Sequence, residues 1–206
     1  SLSNKGAGEK KLELDRRHIE HRISELKKNL EQITQERNTQ RKKRQESFIP
    51  KVSLVGYTNA GKSTLLNAFL DTYGIDESKK VLEKDMLFAT LDTTVRKIPL
   101  ENNRSFLLTD TVGFIAKLPH HLVDAFRATL EELEYADLLL HVIDSADPER
   151  ENHIRVVDSL IAKLAKPGTK VLRCYNKADL VSPEDIPIGE DVVKISAAKG
   201  EGMEEL

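Results

Sequence analysis

One run of glycines, a lysine and a serine has the residue types and spacing of a loop that binds phosphate. It reads Gly56-Tyr57-Thr58-Asn59-Ala60-Gly61-Lys62-Ser63. The glycines let the backbone wrap closely, so that its N–H groups can point at phosphate oxygens. Lys62 would bring positive charge to the β- and γ-phosphates, and the Ser63 hydroxyl would ligate Mg²⁺. The pattern predicts nucleoside triphosphate binding, with Thr64 completing the contacts.

A second motif indicates which base is bound. It reads Asn176-Lys177-Ala178-Asp179 and fits the N-K-x-D pattern of guanine-specific G domains. The Asp179 carboxylate can accept hydrogen bonds from guanine N1–H and the 2-amino group, and adenine offers no such pair. The Lys177 stem can lie on the base plane, and Asn176 can tie this loop to the phosphate loop. A later S-A-x loop is expected to contact guanine O6 through backbone N–H groups: Ser196-Ala197-Ala198.

Two further segments have the pattern of loops that sense the terminal phosphate. Asp110-Thr111-Val112-Gly113 fits D-x-x-G, in which Asp110 would hold Mg²⁺ through water. The backbone N–H of Gly113 would contact the γ-phosphate. In residues 88–94 a threonine should ligate Mg²⁺ and contact the same phosphate. The candidates are Thr90, Thr93 and Thr94.

A glutamine that would position the attacking water is missing from its usual place. In Ras-like enzymes it follows D-x-x-G, and here that position is Phe114. Glutamine occurs only at 32, 35, 40 and 45, so hydrolysis must rely on other groups, a monovalent cation or a partner. Asn59 has the position of an asparagine that helps bind K⁺ between phosphates. An asparagine favoured for turn geometry explains it equally well.

The elements that must position these residues alternate between strand and helix after Lys51. We predict strands over 52–55, 95–100, 104–109, 138–144, 170–175 and 192–195, and helices over 61–70, 120–134 and 148–166. We also predict a turn over 101–103, a long loop over 71–94 and a last helix that starts near 204. The alternation predicts an α/β P-loop G domain over 50–206, with a mostly parallel sheet covered by helices on both faces. Its ligands should bind at the carboxyl ends of the strands.

Residues 1–49 form a separate region, with a flexible lead-in over 1–9 and a long helix over about 10–46. The helix has an apolar seam of coiled-coil spacing: Leu12, Ile19, Ile23, Leu26, Leu30 and Ile33. Another chain, the G domain or a segment outside this chain could bury it. We expect a monomer, and a dimer through this seam is the alternative.

Composition indicates the class of protein, its cellular compartment and the charge of a possible partner. The chain has 206 residues, 39% hydrophobic and 32% charged, and lacks the run of about 20 apolar residues that a membrane span needs. Cys174 is the only cysteine, which excludes an internal disulfide and favours the cytoplasm. Residues 1–50 carry a net charge of +5 and the remainder −7, giving −2 overall. A basic arm favours a polyanion such as RNA, and a solvated helix of mixed charge is the plainer interpretation.

With these motifs in place, the sequence resembles the HflX family of ribosome-associated GTPases. The resemblance is carried by residues 8–13, Asp15-Arg16-Arg17, residues 55–65, 88–92 and 110–115, and Leu118-Pro119-His120. It implies GTP hydrolysis with Mg²⁺, with Lys62, Thr90 and Gly113 in the catalytic set and Thr90 as the magnesium ligand. It also implies binding to the large ribosomal subunit and its RNA, which stimulates hydrolysis, and a role in splitting or rescuing stalled ribosomes. The family has an N-terminal domain ahead of the arm that this chain lacks.

Three other interpretations stay open. Phe114 allows a nucleotide-dependent binding switch with negligible turnover. The phosphate loop alone allows an ATPase or a small-molecule kinase, which Asp179 disfavours. His120, His121 and Arg127 could contact a partner or simply lie on a helix surface.

Overall fold

The protein divides into two compact units, Ser1–Phe48 and Ile49–Leu206. The computed structural model describes residues 3–45, 49–73, 94–100, 103–111, 113 and 131–206, and in the first range the side chains of 11–32 and 35. Thr90, Thr93, Phe114, His120, His121 and Arg127 lie outside the described residues, as do positions 74–93 of the loop expected over 71–94 and most of the helix expected over 120–134.

The first unit is one helix, α1, which spans Ser3–Gln45. Its 43 residues extend about 65 Å at 1.5 Å per residue. The helix begins at Ser3 and runs through Gly6 and Gly8, whereas the sequence predicted a flexible lead-in over 1–9 and a helix from about residue 10. A helical glycine costs only about 1 kcal/mol relative to alanine, and the lysines, glutamate and alanine around these two are strong helix formers.

The apolar seam of α1 is exposed along its described length, from 46% at Ile23 to 71% at Leu12. Charged pairs one turn apart support the helix, among them Arg17 with Glu13 and Arg16 with Glu20, each 2.9 Å apart. Such pairs contribute only a few tenths of a kcal/mol each. That another surface buries this seam stays a prediction.

The second unit is built on a six-stranded sheet. Its strands are β1 (Lys51–Val55), β2 (Thr94–Pro99), β3 (Ser105–Asp110), β4 (Leu138–Asp144), β5 (Lys170–Asn176) and β6 (Val192–Lys194). Their spatial order is β2-β3-β1-β4-β5-β6. Only the β2–β3 pair is antiparallel among these strands. The predicted α/β fold with a mostly parallel sheet is confirmed.

Helices cover both faces of this sheet: α2 (Lys62–Thr72) on one and α3 (Arg150–Leu164) on the other. Side chains alternate along β4, so that Leu140 packs in the cluster with α2 and Leu139 packs in the cluster with α3. Fully buried leucines from β1 and α2 complete the first cluster: Leu54, Leu65 and Leu66. This packing aligns the carboxyl ends of β1, β3, β4, β5 and β6 along one edge.

Shorter elements complete the unit. Glu131–Leu133, within the helix expected over 120–134, is a 3₁₀ turn, and so is Met203–Glu205, where the last helix was expected to start. In the part of the chain that the structure describes, no helix has both the length and the apolar character to cross a bilayer.

We predict that Leu54→Ala lowers the free energy of unfolding by about 2–5 kcal/mol, because it leaves a cavity in a fully buried strand. All four tyrosines of the sequence lie after residue 50, so tyrosine fluorescence in a urea titration follows this unit. Leu12→Ala, at a position 71% exposed, is the matched control and should leave the transition unchanged. Equal midpoints for the two variants would contradict this packing.

Candidate functional site

The phosphate loop follows β1 and leads into α2, as the sequence predicts. Two residues of the loop have left-handed backbone conformations, Asn59 at φ 61° and Gly61 at φ 93°. Asparagine tolerates this region better than most side chains, so turn geometry alone is enough to explain Asn59. At Gly61 a Cβ would also collide with the side-chain nitrogen of Asn176, which makes glycine necessary there.

Lys62, the first residue of α2, is 6% exposed, and its ammonium lies inside the loop. It donates to the backbone carbonyls of Gly56 (3.3 Å) and Tyr57 (3.1 Å). Burial lowers the pKa of Lys62 to about 8, although the Asp110 carboxylate acts in the opposite direction. The charge is thus costly to keep in this pocket, and an anion inside the loop would relieve that cost.

A hydroxyl and a carboxylate meet beside the lysine. Ser63 Oγ donates to Asp110 Oδ2 at 2.8 Å, and Asp110 is fully buried at the end of β3. Thr111 donates to the Leu54 carbonyl at 2.6 Å, which fixes the chain just after Asp110. Oxygen donors of this kind suit Mg²⁺, which keeps several waters and takes its other ligands from phosphate. The described residues include no group of three His, Cys, Asp or Glu side chains that could hold a metal by themselves.

Gly113 brings the D-x-x-G loop against the phosphate loop. A Cβ on Gly113 would lie 2.9 Å from Thr58 Cγ2 and 3.2 Å from Lys62 Nζ. The absence of a side chain therefore allows the main chain of this loop to approach the lysine. Gly113 thus lies beside Lys62, and its role as a sensor of the terminal phosphate stays a prediction.

Asn176, at the end of β5, joins three loops. Its Nδ2 donates to the Ala60 carbonyl at 2.9 Å, and its Oδ1 accepts from the N–H of Ala197 at 3.0 Å. Its own carbonyl accepts from the N–H of Ser145 at 2.9 Å. The asparagine is 3% exposed, so these bonds form away from water. The link from the N-K-x-D loop to the phosphate loop is the one expected from the sequence.

The aspartate of N-K-x-D lies beside the S-A-x loop. The neighbouring Ser196 side chain and then the Lys199 ammonium, 3.1 Å away, hold the pKa of Asp179 below its usual value. Asp179 is therefore an ionised acceptor at neutral pH. Lys177 has a left-handed backbone at φ 58°, and its ammonium pairs with Asp144 Oδ2 at 2.6 Å. Its aliphatic stem is thereby held in a fixed direction.

The contacts of three residues in the site were not predicted from the sequence: Asp144, Lys199 and Thr111. Asp144 ends a buried apolar strand, and a carboxylate at the carboxyl end of such a strand is the signal that could have identified it. Lys199 and Thr111 each lie beside a recognised motif. Their partners, Asp179 and the Leu54 carbonyl, are distant in sequence and could not be assigned before the fold was known.

Comparison with known proteins agrees with this geometry. Residues 51–177 match a family model described as a 50S ribosome-binding GTPase, and residues 1–44 match one described as a GTP-binding GTPase middle region. The GTPase HflX of Caldanaerobacter subterraneus subsp. tengcongensis is 48% identical over 206 residues, which cover 100% of this chain and 46% of that protein. The chain belongs to the HflX family of GTPases. The predicted resemblance is confirmed, and residues 51–177 carry the part of the chain that matches the GTPase family model.

Solved structures share the fold. A GTP-binding protein from Sulfolobus solfataricus in complex with GDP is 30% identical, with a TM-score of 0.60, covering 90% of this chain and 55% of that one. Era in complex with MgGDPNP and nucleotides 1506–1542 of 16S ribosomal RNA is 25% identical, with a TM-score of 0.62, covering 76% and 54%. The chain spans about half the length of the curated HflX relatives it matches.

We predict that Gly61→Ala abolishes tight guanine nucleotide binding, because the new methyl group displaces Asn176. Gly168→Ala is the matched control, since Gly168 has nearly the same φ of 88° and nothing within 4 Å of a built Cβ. Both variants incur the left-handed backbone cost of about 1 kcal/mol, and only the first disturbs the site. Affinity for a fluorescent GDP analogue measures the difference. Equal affinities would show that the collision is harmless.

We also predict that nucleotide binding takes up protons near pH 8. With the pKa of Lys62 lowered to about 8, its amino group is about half protonated at that pH in the nucleotide-free protein. Phosphate oxygens raise the pKa of this group when the nucleotide binds. Calorimetry of GDP binding in buffers of different ionisation enthalpy should show an uptake of about half a proton at pH 8. An uptake that does not fall off as the pH is lowered towards 6.5 would contradict the assignment to Lys62.

Proposed function

We propose that this chain is a ribosome-associated molecular switch that binds GTP with Mg²⁺ and slowly hydrolyses it to GDP and phosphate. The observation that carries the proposal is the double hydrogen bond of Asn176. These two bonds tie the phosphate loop, which contains the buried Lys62, to the loops that contain the ionised Asp179 and Ala197, all at one edge of a single sheet. A guanine nucleotide has the matching groups at its two ends.

At the phosphate end, Lys62 would leave the carbonyls of Gly56 and Tyr57 and bind β- and γ-phosphate oxygens. Backbone N–H groups from Tyr57 to Thr64 would donate to the same phosphates, helped by the N-terminus of α2. Gly113, which already lies beside Lys62, would donate its N–H to the γ-phosphate. Loss of that phosphate would release the loop, which is the switching event.

At the base end, Asp179 would accept hydrogen bonds from guanine N1–H and the 2-amino group. Its lowered pKa keeps it in the accepting form. The stem of Lys177, directed by Asp144, would cover one face of the base. The backbone N–H groups of residues 196–198 would contact O6, and Ala197 is held for this by Asn176. An adenine nucleotide would place its 6-amino group against these donors, so ATP is disfavoured.

Ser63 and Thr90 would hold Mg²⁺ directly, and Asp110 would hold it through water. The ion would neutralise charge on the β- and γ-phosphate oxygens. The contact of Ser63 with Asp110 supports this set, and Thr90 enters on the family resemblance alone. Asn59 as a K⁺ ligand stays a prediction.

With Phe114 in place of glutamine, no side chain of the usual type orients the attacking water. A slow intrinsic rate that a partner raises follows from this, and the group that orients the water is left to the partner or to a monovalent cation. The same feature supports the alternative, a binding switch whose turnover in this chain is negligible. In that case the bound nucleotide sets the conformation and hydrolysis only resets it.

We propose the large ribosomal subunit and its RNA as the partner, and the cytoplasm as the location. The matched family model is described as a 50S ribosome-binding GTPase, and Era, of similar fold, binds a ribosomal RNA segment. The net charge of +5 on residues 1–50 suits a polyanionic partner. Splitting or rescue of stalled ribosomes is the role that the family resemblance adds.

The test is GTP hydrolysis in KCl buffer with and without purified large ribosomal subunits, with ATP as the control nucleotide. We expect subunits to stimulate hydrolysis of GTP and not of ATP. Lys62→Ala should lower GTP affinity at least about tenfold, since a hydrogen bond to a charged group contributes about 1.5–3 kcal/mol. Lys163→Ala, which changes an exposed lysine at the end of α3, should behave as the unaltered chain.

The outcomes separate the parts of the proposal. Tight GTP binding without stimulation would contradict the ribosome role for this chain and favour the binding-switch alternative. Equal affinity for ATP would contradict the role of Asp179. Equal rates in KCl and NaCl would remove the potassium role of Asn59.

A further inference from the structure

Tyr57, the second residue of the phosphate loop, directs its ring away from the loop and onto α3. The ring stacks on the imidazole of His153, with centroids 3.5 Å apart and planes within 9° of parallel. The tyrosine is half-buried and also packs against the apolar cluster that includes Val55, Leu139 and Val157. A parallel stack this close fixes the position of both rings, because either ring must break the contact to move.

The imidazole is itself held in place by the turn that precedes α3. His153 Nδ1 lies 2.6 Å from Asp147 Oδ2, and because an ionised carboxylate only accepts, the imidazole nitrogen is the donor. The other oxygen of Asp147 accepts from the N–H of Glu149 at 2.9 Å. The stack is therefore anchored to the start of α3 on the same face of the sheet.

The backbone of the same tyrosine shapes the inside of the phosphate loop. Its carbonyl accepts from Lys62 Nζ at 3.1 Å and from the N–H of Ala60 at 3.3 Å. Tyr57 therefore contacts α3 with its ring, while its carbonyl closes the turn of the loop and, before a nucleotide binds, accepts from the buried lysine. Because the ring and this carbonyl belong to the same residue, a shift of the Tyr57 ring would also move the carbonyl.

We propose that the stack of Tyr57 on His153, anchored by Asp147, is a positioning contact that keeps the phosphate loop in its nucleotide-binding conformation before the nucleotide arrives. This inference rests on the proposed function. None of the three side chains needs to touch the nucleotide. Their effect is to reduce the conformational freedom that the loop would otherwise lose on binding.

The inference predicts an effect on affinity that is separate from the rate. Tyr57→Leu and His153→Leu should each raise the Kd of both GDP and GTP by about three- to tenfold, the range that corresponds to an aromatic pair. Tyr57→Phe keeps the ring and should stay within about twofold of the unaltered chain. The rate constant at saturating GTP should change less than about twofold in all of them.

The double variant Tyr57→Leu/His153→Leu shows whether the two rings act as one unit. We expect it to bind no more weakly than the worse single variant, because the contact has already been lost. Asn152→Ala, at the exposed residue of α3 next to His153, is the control and should bind normally. Kd is measured with fluorescent nucleotide analogues, and urea midpoints are recorded for every variant.

Independent, additive effects of the two single variants would overturn the inference. So would lowered urea midpoints with an unchanged Kd, which would show a purely structural contact. A fall in the saturated rate at constant Kd would overturn it as well. Absence of any guanine nucleotide binding by the unaltered chain would overturn the proposed function and this inference with it. If the unaltered chain binds guanine nucleotide tightly and the Tyr57 and His153 variants have the same Kd, the inference is overturned and the proposed function stands.

Discussion

The amide of Asn176 is the interaction on which the geometry of the site depends. One side chain donates to the loop after β1 and accepts from the loop after β6, and it does so almost fully buried. A buried amide left without either partner would cost about 1–3 kcal/mol, so both loops are held in one arrangement. The need for glycine at position 61 follows from it, because the space that a Cβ would take is occupied by this amide.

Electrostatics divide the site into two ends of opposite character. At one end burial weakens the hold of Lys62 on its proton, and at the other the contacts of Asp179 strengthen its ionised form. The first end is prepared for an anion and the second for hydrogen-bond donors. The unit as a whole carries a net charge of −7, which repels polyphosphate at long range. Attraction must therefore come from the loop itself, through Lys62, the backbone N–H groups and the start of α2.

The sequence allowed much of the second unit to be predicted, because its signals are local. The strand over 138–144 was predicted with the bounds that the structure gives, since a continuous apolar run buried on both faces ends at a carboxylate. The phosphate loop was predicted from its glycines and lysine, and its left-handed positions fall at Asn59 and Gly61. The N-K-x-D motif also indicated the contact of Asn176 with the phosphate loop.

What could not be predicted depends on packing between distant segments. Nothing in the run around Tyr57 indicates that its ring would stack on an imidazole 96 positions later, because the contact exists only once α3 lies against the sheet. The pairing of Lys177 with Asp144 is of the same kind. The start of α1 was missed for the opposite reason. Gly6 and Gly8 were given more weight than the strong helix formers around them, although each glycine costs only about 1 kcal/mol.

The contact of Gly113 with the phosphate loop shows how such a site could be selective and responsive at once. The base end and the phosphate loop are tied by buried hydrogen bonds and have little freedom to rearrange. Gly113 has no side chain to hold it, and its main chain lies against Thr58 and Lys62. In the proposed mechanism a γ-phosphate would draw this main chain in by a single N–H bond. A larger residue would separate the two loops even with the phosphate present. The signal therefore depends on the backbone at one glycine, while recognition of the base depends on residues that do not need to move.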